Sequence, residues 1–169
     1  MELRYCTEAK LSLCFMEAAL GKNLTNLSMY DCEVDESCIE LMQKLLQNPH
    51  LVQLAITTGS TTRVGRLLPT IEGVEELKEL NLTLNSLDQD EKESFKRLLM
   101  KNKQRKLQLK FCALSSEFCE CVPFESMSSL TDLCFWDDRI EDYDAFGRCL
   151  DQLRHVQLQK FDLRNTTVS

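Results

Sequence analysis

Cysteine and histidine are the side chains here that could act as nucleophile, base or metal ligand, and the 169-residue sequence carries nine and two of them. Cys149 and His155 have the spacing of a helix residue and the loop behind it, with no third group beside them to orient an imidazole. Thiol catalysts assemble such partners through the fold and not along the chain. Cys119-Glu-Cys121 leaves one residue between its thiols, where zinc sites leave two to four. Gly59-Ser-Thr-Thr and Gly65 lack the lysine of a phosphate loop, and neither H-E-x-x-H nor G-x-S-x-G occurs. The sequence therefore predicts no catalytic group, no metal and no cofactor. An odd number of cysteines without metal spacing reads as free thiols, most of them buried, in a reducing compartment.

The bulk composition fits that expectation. Apolar residues make up 43% and charged residues 28%, the balance of a folded domain and not of a disordered chain. A net charge of −7 opposes general binding to a phosphate backbone, so no nucleic acid is expected. No apolar run reaches the roughly 20 residues that a bilayer requires, so no membrane insertion is expected either. With Glu2 and Glu8 where a secretory signal is basic, no signal peptide is read.

What remains is recognition, and its residues must be positioned by a repeat. One phrase recurs: Leu77-Lys-Glu-Leu80-Asn-Leu82-Thr-Leu-Asn85-Ser-Leu87. It returns as Leu24, Leu27, Met29, Cys32, Val34; as Gln104, Leu107, Leu109, Cys112, Leu114; as Leu130, Leu133, Phe135, Asp138, Ile140; and as Leu158, Phe161, Leu163, Thr166, Val168. Leu51, Leu54 and Ile56 open a further copy that fades in Thr57-Thr58-Gly59-Ser60. The starts at 24, 51, 77, 104, 130 and 158 are 27, 26, 27, 26 and 28 residues apart, a regular period that signals stacked supersecondary units.

The remainder of each unit has helical periodicity. Asp35–Gln47 turns Ile39, Met42, Leu45 and Leu46 to one side, with Asp35 or Ser37 as cap. Asp88–Met100 does so with Phe95, Leu98 and Leu99. Ser115–Cys121 and Glu141–Leu153 follow, the latter expected to bury Tyr143, Phe146, Leu150 and Leu153. Thr7–Leu20 belongs to an incomplete first unit, residues 1–23, with Leu3 and Cys6 from its strand; Val64–Ile71 is a short helix interrupted by Pro69. Stacked units of this kind predict an α/β solenoid with a parallel sheet on the concave face and helices on the convex face. All of residues 1–169 are expected to form a single domain of about six to seven repeats.

Units of this length, with a full helix and Asn or Cys after the strand, resemble the ribonuclease-inhibitor class of leucine-rich repeats over nearly the whole chain. The divergent phrases Leu133-Cys-Phe-Trp-Asp-Asp-Arg-Ile140 and Leu27-Ser-Met-Tyr-Asp-Cys-Glu-Val34 are similar to the C-terminal repeats of NOD-like receptors of innate immunity. That family carries its nucleotide-binding loop elsewhere, and no G-x-x-x-x-G-K-[S/T] occurs here. The resemblance implies a cytoplasmic ligand-recognition or autoinhibitory module, whose partner is a protein ligand or the rest of its own receptor chain. The alternative is an adaptor or inhibitor, such as a ubiquitin-ligase substrate receptor or a ribonuclease-inhibitor-like protein. The first residues begin inside a coil and the last stop just after a strand, as in a fragment. Sequons at Asn23, Asn26, Asn81 and Asn165 would suit an extracellular module, but three lie in the strand phrase, where Asn-Leu-polar arises structurally.

Residues between the repeated leucines are expected on the concave solvent side. The candidates for partner binding there are Tyr30, Lys78, Leu84, Arg105, Lys110, Phe111, Trp136, Asp137 and Arg164. Glu79, Lys106, Asp132, Lys160 and Asp162 are further exposed positions, while Thr57 and Thr83 share the row of Tyr30 and Trp136. Tyr30, Leu84, Phe111 and Trp136 are large apolar groups set in solvent, the type that anchors interfaces. Charge is segregated: Lys101, Lys103, Arg105, Lys106 and Lys110 precede the acidic run Asp137, Asp138, Glu141, Asp142 and Asp144. Either adjacent coils attract one another or the two signs orient a partner.

Overall fold

Alternate residues of a strand point to opposite faces, so each apolar phrase builds one buried and one open side. The computed structural model describes residues 1–4, 9–32, 35–57, 64–84, 87–101, 103–110, 114–136, 139–165 and 167–168. Strands β1 (Glu2–Arg4), β2 (Asn26–Tyr30), β3 (Gln53–Thr57), β4 (Glu79–Thr83), β5 (Lys106–Lys110), β6 (Asp132–Trp136) and β8 (Lys160–Arg164) form one seven-stranded sheet in chain order. Every pairing in it is parallel. A second pair, β7 (Arg139–Ile140) with β9 (Thr167–Val168), is also parallel. Helices α1 (Ala9–Ala19), α2 (Glu36–Leu46), α3 (Leu68–Glu72), α4 (Gln89–Met100), α5 (Ser116–Cys121) and α6 (Tyr143–Gln152) lie between strands. The α/β class with a parallel sheet is as the sequence predicts, and strand after helix in steady succession is compatible with a repeat solenoid.

The register follows the period. Leu27 stands opposite Leu54, Leu54 opposite Leu80, Leu80 opposite the coil of Leu107, and Leu107 opposite Leu133. The ladder also reaches one residue before the strands. The N–H groups of Val52, Lys78, Arg105, Thr131 and Gln159 donate to the carbonyls of Thr25, Val52, Lys78, Arg105 and Thr131 at 2.7–2.9 Å. Beyond the strands the chain turns through left-handed Asp31 (φ 49) and Asn165 (φ 52), residue types that tolerate this region.

The strand leucines and one stripe of each helix form a contiguous core. Helix starts agree with the sequence. Asp35 accepts from the Cys38 N–H at 2.9 Å, Ser115 from Phe118 at 3.4 Å and Asp142 from Ala145 at 2.8 Å. That bond to the Cys38 N–H holds the Asp35 carboxyl below its ordinary value. The short helix divides next to Pro69 as expected: a 3-10 turn, Val64–Leu67, precedes α3, and Pro69 sits in the first turn of α3, where a missing N–H has no α-helical partner to lose. One expectation changes. Tyr143 is 50% exposed and Leu150 only half-buried. Ala145, Phe146 and Cys149 are the residues that α6 buries, so its buried stripe is rotated from the one that the periodicity suggests.

Gly65 lies directly against the Glu91 side chain of the next unit. Asp88 and Glu91 form a reciprocal capping box at the start of α4. A Cβ at position 65 would fall 2.5 Å from Glu91 Cδ. Gly65→Ala therefore pushes this carboxylate off its cap and costs about 1–2 kcal/mol. In a chemical-denaturation double-mutant cycle, the loss shrinks when Glu91→Ala has already removed the obstacle; an unchanged loss would place the strain elsewhere.

Among the described residues, no helix is long and apolar enough to cross a membrane.

Candidate binding face

The side of the sheet turned away from the core presents three rows running across the strands. The first row contains Asn26, Gln53, Glu79, Lys106, Asp132 and Lys160, and the middle row Ser28, Ala55, Asn81, Gln108, Cys134 and Asp162. In the third, Arg4 pairs with Tyr30 and Tyr30 with Thr57, while Thr83, Lys110, Trp136 and Arg164 pair in turn. A shallow groove of about 260 Å³ follows the first two rows and takes in Tyr30 and Arg164 at its ends.

Charge in the first row changes sign from strand to strand: Glu79, Lys106, Asp132, Lys160. Lys106 Nζ lies 2.9 Å from Glu79, and that bond, with Asp132 on the other side, raises the lysine's pKa. At the far strand Asp162 receives Arg164 at 2.9 Å and Lys160 at 3.2 Å. Those two cations, Arg164 first, hold its carboxyl below the usual range.

The third row carries cations on aromatic faces. The Arg4 guanidinium lies 5.0 Å from the Tyr30 ring centre, and Lys110 Nζ lies 5.7 Å from that of Trp136, both within cation–π range. Arg164 stands on the opposite side of Trp136 in register. The sheet thus brings four of the sequence candidates, Tyr30, Lys110, Trp136 and Arg164, onto one face, three of them adjacent. Trp136 is half-buried, so its indole is partly accessible beside Lys110.

Other candidates fall elsewhere. Leu84 is 2% exposed and belongs to the core, so it is no surface anchor; it follows its strand with the parity of the buried residues, and its N–H donates to the Lys110 carbonyl at 2.9 Å. Thr57 and Thr83 share the row of Trp136 but are 7% and 3% exposed. Lys78 and Arg105 are exposed at the leading rim of the sheet, one residue before their strands and with the parity of the leucines. Neither lines the groove. Phe111 and Asp137 lie outside the described residues.

The basic stretch also has a different address. Lys101 reaches Glu72 at 3.8 Å, Lys103 donates to the Glu75 carbonyl at 3.1 Å, and Lys106 meets Glu79. These three lysines tie their coil to the preceding one. What the sequence reading passed over is the pairing inside the first row. Its signal was available as charges of alternating sign at the repeat period.

Of the described cysteines, Cys134 lies on this face and the buried ones do not. Cys149 is 2% exposed, with Sγ 4.0 Å from the Cys119 carbonyl oxygen. The hydrogen bond shared with Cys119, together with burial, drives its thiol well above the ordinary range. Burial pushes Cys38 up to about 11. Low thiolate content and poor access make such thiols weak nucleophiles. Among the described residues, no three His, Cys, Asp or Glu side chains come together as a metal would require.

No family model, curated protein or solved structure matches this chain.

Proposed function

We propose that this chain is a leucine-rich repeat module of the ribonuclease-inhibitor class that recognises a protein through the open face of its sheet. The setting we propose is a cytoplasmic receptor of the NOD-like type, with the partner either a protein ligand or another part of the receptor chain. The observation that carries the reading is the third row, where Trp136 lies between Lys110 and Arg164 on a face that none of the described helices covers. Aromatic and arginine side chains held rigidly beside one another supply contact area at little entropic cost, and such groups dominate interface energetics. The shallow groove beside them suits the surface of a protein better than an enclosed small molecule. The buried free thiols Cys119 and Cys149 suit a reducing compartment. The 26–28-residue register supports the repeat class.

Affinity capture from lysate tests this, with wild type compared against Trp136→Ala and against Tyr143→Ala, an exposed aromatic away from this face. Trp136→Ala should shift the thermal midpoint by no more than a few degrees while weakening the captured partner about 30-fold, the loss of a typical hot spot. Tyr143→Ala should leave capture intact. A partner that ignores Trp136→Ala would move recognition off this face.

A further inference from the structure

We propose that Cys119 of α5 and Cys149 of α6 are a redox pair that closes into a reversible disulfide between successive coils when the protein meets hydrogen peroxide. Both thiols are free and buried, at 8% and 2% exposed. Cys149 Sγ lies 4.0 Å from the Cys119 carbonyl oxygen, and a hydrogen bond joins the two thiols. Their helices are pinned together at the same level. Phe118, beside Cys119, and Phe146, one turn before Cys149, pack edge-on against Phe135 at 6.1 and 6.0 Å. That shared ring holds the sulfurs at the short range a disulfide needs.

Helical geometry also selects this pair. Cys121 follows on the other side of α5, where it lines a groove with Lys92 and Lys96 of α4. Cys134 lies on the open face of the sheet. Each therefore faces away from Cys149.

The pair divides the two roles that the chemistry requires. The hydrogen bond from Cys149 holds the Cys119 thiol below its ordinary pKa, and Cys119 is the more exposed of the two. Its thiolate attacks one oxygen of the peroxide. An S–O bond forms, the O–O bond breaks, and the departing hydroxide takes up a proton as water. Cys149 then gives up its proton and attacks the Cys119 sulfur. The S–S bond forms, the S–O bond breaks, and the second hydroxide leaves with that proton as water. Two thiols are oxidised by two electrons in all, and one peroxide is reduced to two waters. This inference does not depend on recognition by the open face.

The test exposes the full chain, reduced and then freed of reductant, to peroxide up to millimolar, in native buffer and in urea. Remaining thiols are blocked, and a non-reducing digest with trypsin and a glutamyl protease is read by mass spectrometry. The expected native product is Phe118-Cys119-Glu120 linked to Cys149–Arg154, at least about tenfold above any other cysteine pair and lost on reduction. Closing this loop should raise the thermal midpoint by about 5 °C or more. Cys149→Ser should leave Cys119 as a sulfenic acid that dimedone traps, and Cys119→Ser should give neither product. If either variant fails to melt cooperatively, the wild-type digest decides alone. Other pairs in equal yield, no link between 119 and 149, or a link that forms only in urea overturns the proposal. So does a midpoint that falls on oxidation, since the bond would then be straining the native packing.

Discussion

Leu82→Asp is expected to abolish the cooperative melt of this protein. Leu82 is 0% exposed in β4, with Ile56 and Leu109 beside it at the same core position of the adjoining strands. Truncating such a leucine already costs about 2–5 kcal/mol. A carboxylate between stacked coils adds the cost of burying an unpaired charge or of protonating it. The sum is comparable with the whole stability of a domain this size. Circular dichroism on heating should show a broad, weak transition for Leu82→Asp. Leu82→Met, which nearly conserves volume, should lose less than about 1.5 kcal/mol. A sharp melt for the aspartate variant near that of wild type would mean that Leu82 does not face the core and that the strand register is wrong.

Phe135→Ala should produce the next largest loss. Phe135 is 1% exposed and meets four rings edge-on: Phe118 at 6.1 Å, Phe124 at 6.4 Å, Phe146 at 6.0 Å and Phe161 at 6.3 Å. Those rings come from α5, the 3-10 turn after it, α6 and β8, so one side chain joins three successive coils. Removing it leaves a cavity and ends four favourable ring contacts. The expected cost is about 3–5 kcal/mol, or roughly 10 °C in the thermal midpoint. Phe135→Leu, which fills part of the space, should recover a good share. A loss below about 1 kcal/mol for the alanine variant would show that the last coils do not pack through this ring.

The legible and illegible parts of this structure divide along physical lines. Strands could be read because the leucines recur at a fixed period, and the cap of α2 because Asp35 stands where free N–H groups need an acceptor. Parity then placed Tyr30, Lys110, Trp136 and Arg164 on one side of a sheet. It failed for Leu84, which the exposed-row assignment put in solvent although it continues the alternation of the buried residues. Parity also assigns a face without saying what covers it, which is why Thr57 and Thr83 are buried in the row of Trp136. The direction in which the basic stretch is spent was not legible either, since Glu72, Glu75 and Glu79 precede it by a full repeat. The ring cluster around Phe135 depends on four elements meeting, and no local pattern announces it. Tyr143 shows the same limit: helical periodicity gives a stripe, but packing decides which part of that stripe is covered.

The central claim is that recognition belongs to the open face of the sheet. The most direct measurement is photo-crosslinking from two single positions, Gln108 in the middle row of that face and Glu93 on α4, in the presence of a captured partner. Crosslinks from position 108 and none from position 93 are the predicted result. Crosslinks from position 93 alone would contradict the account and give recognition to the helices.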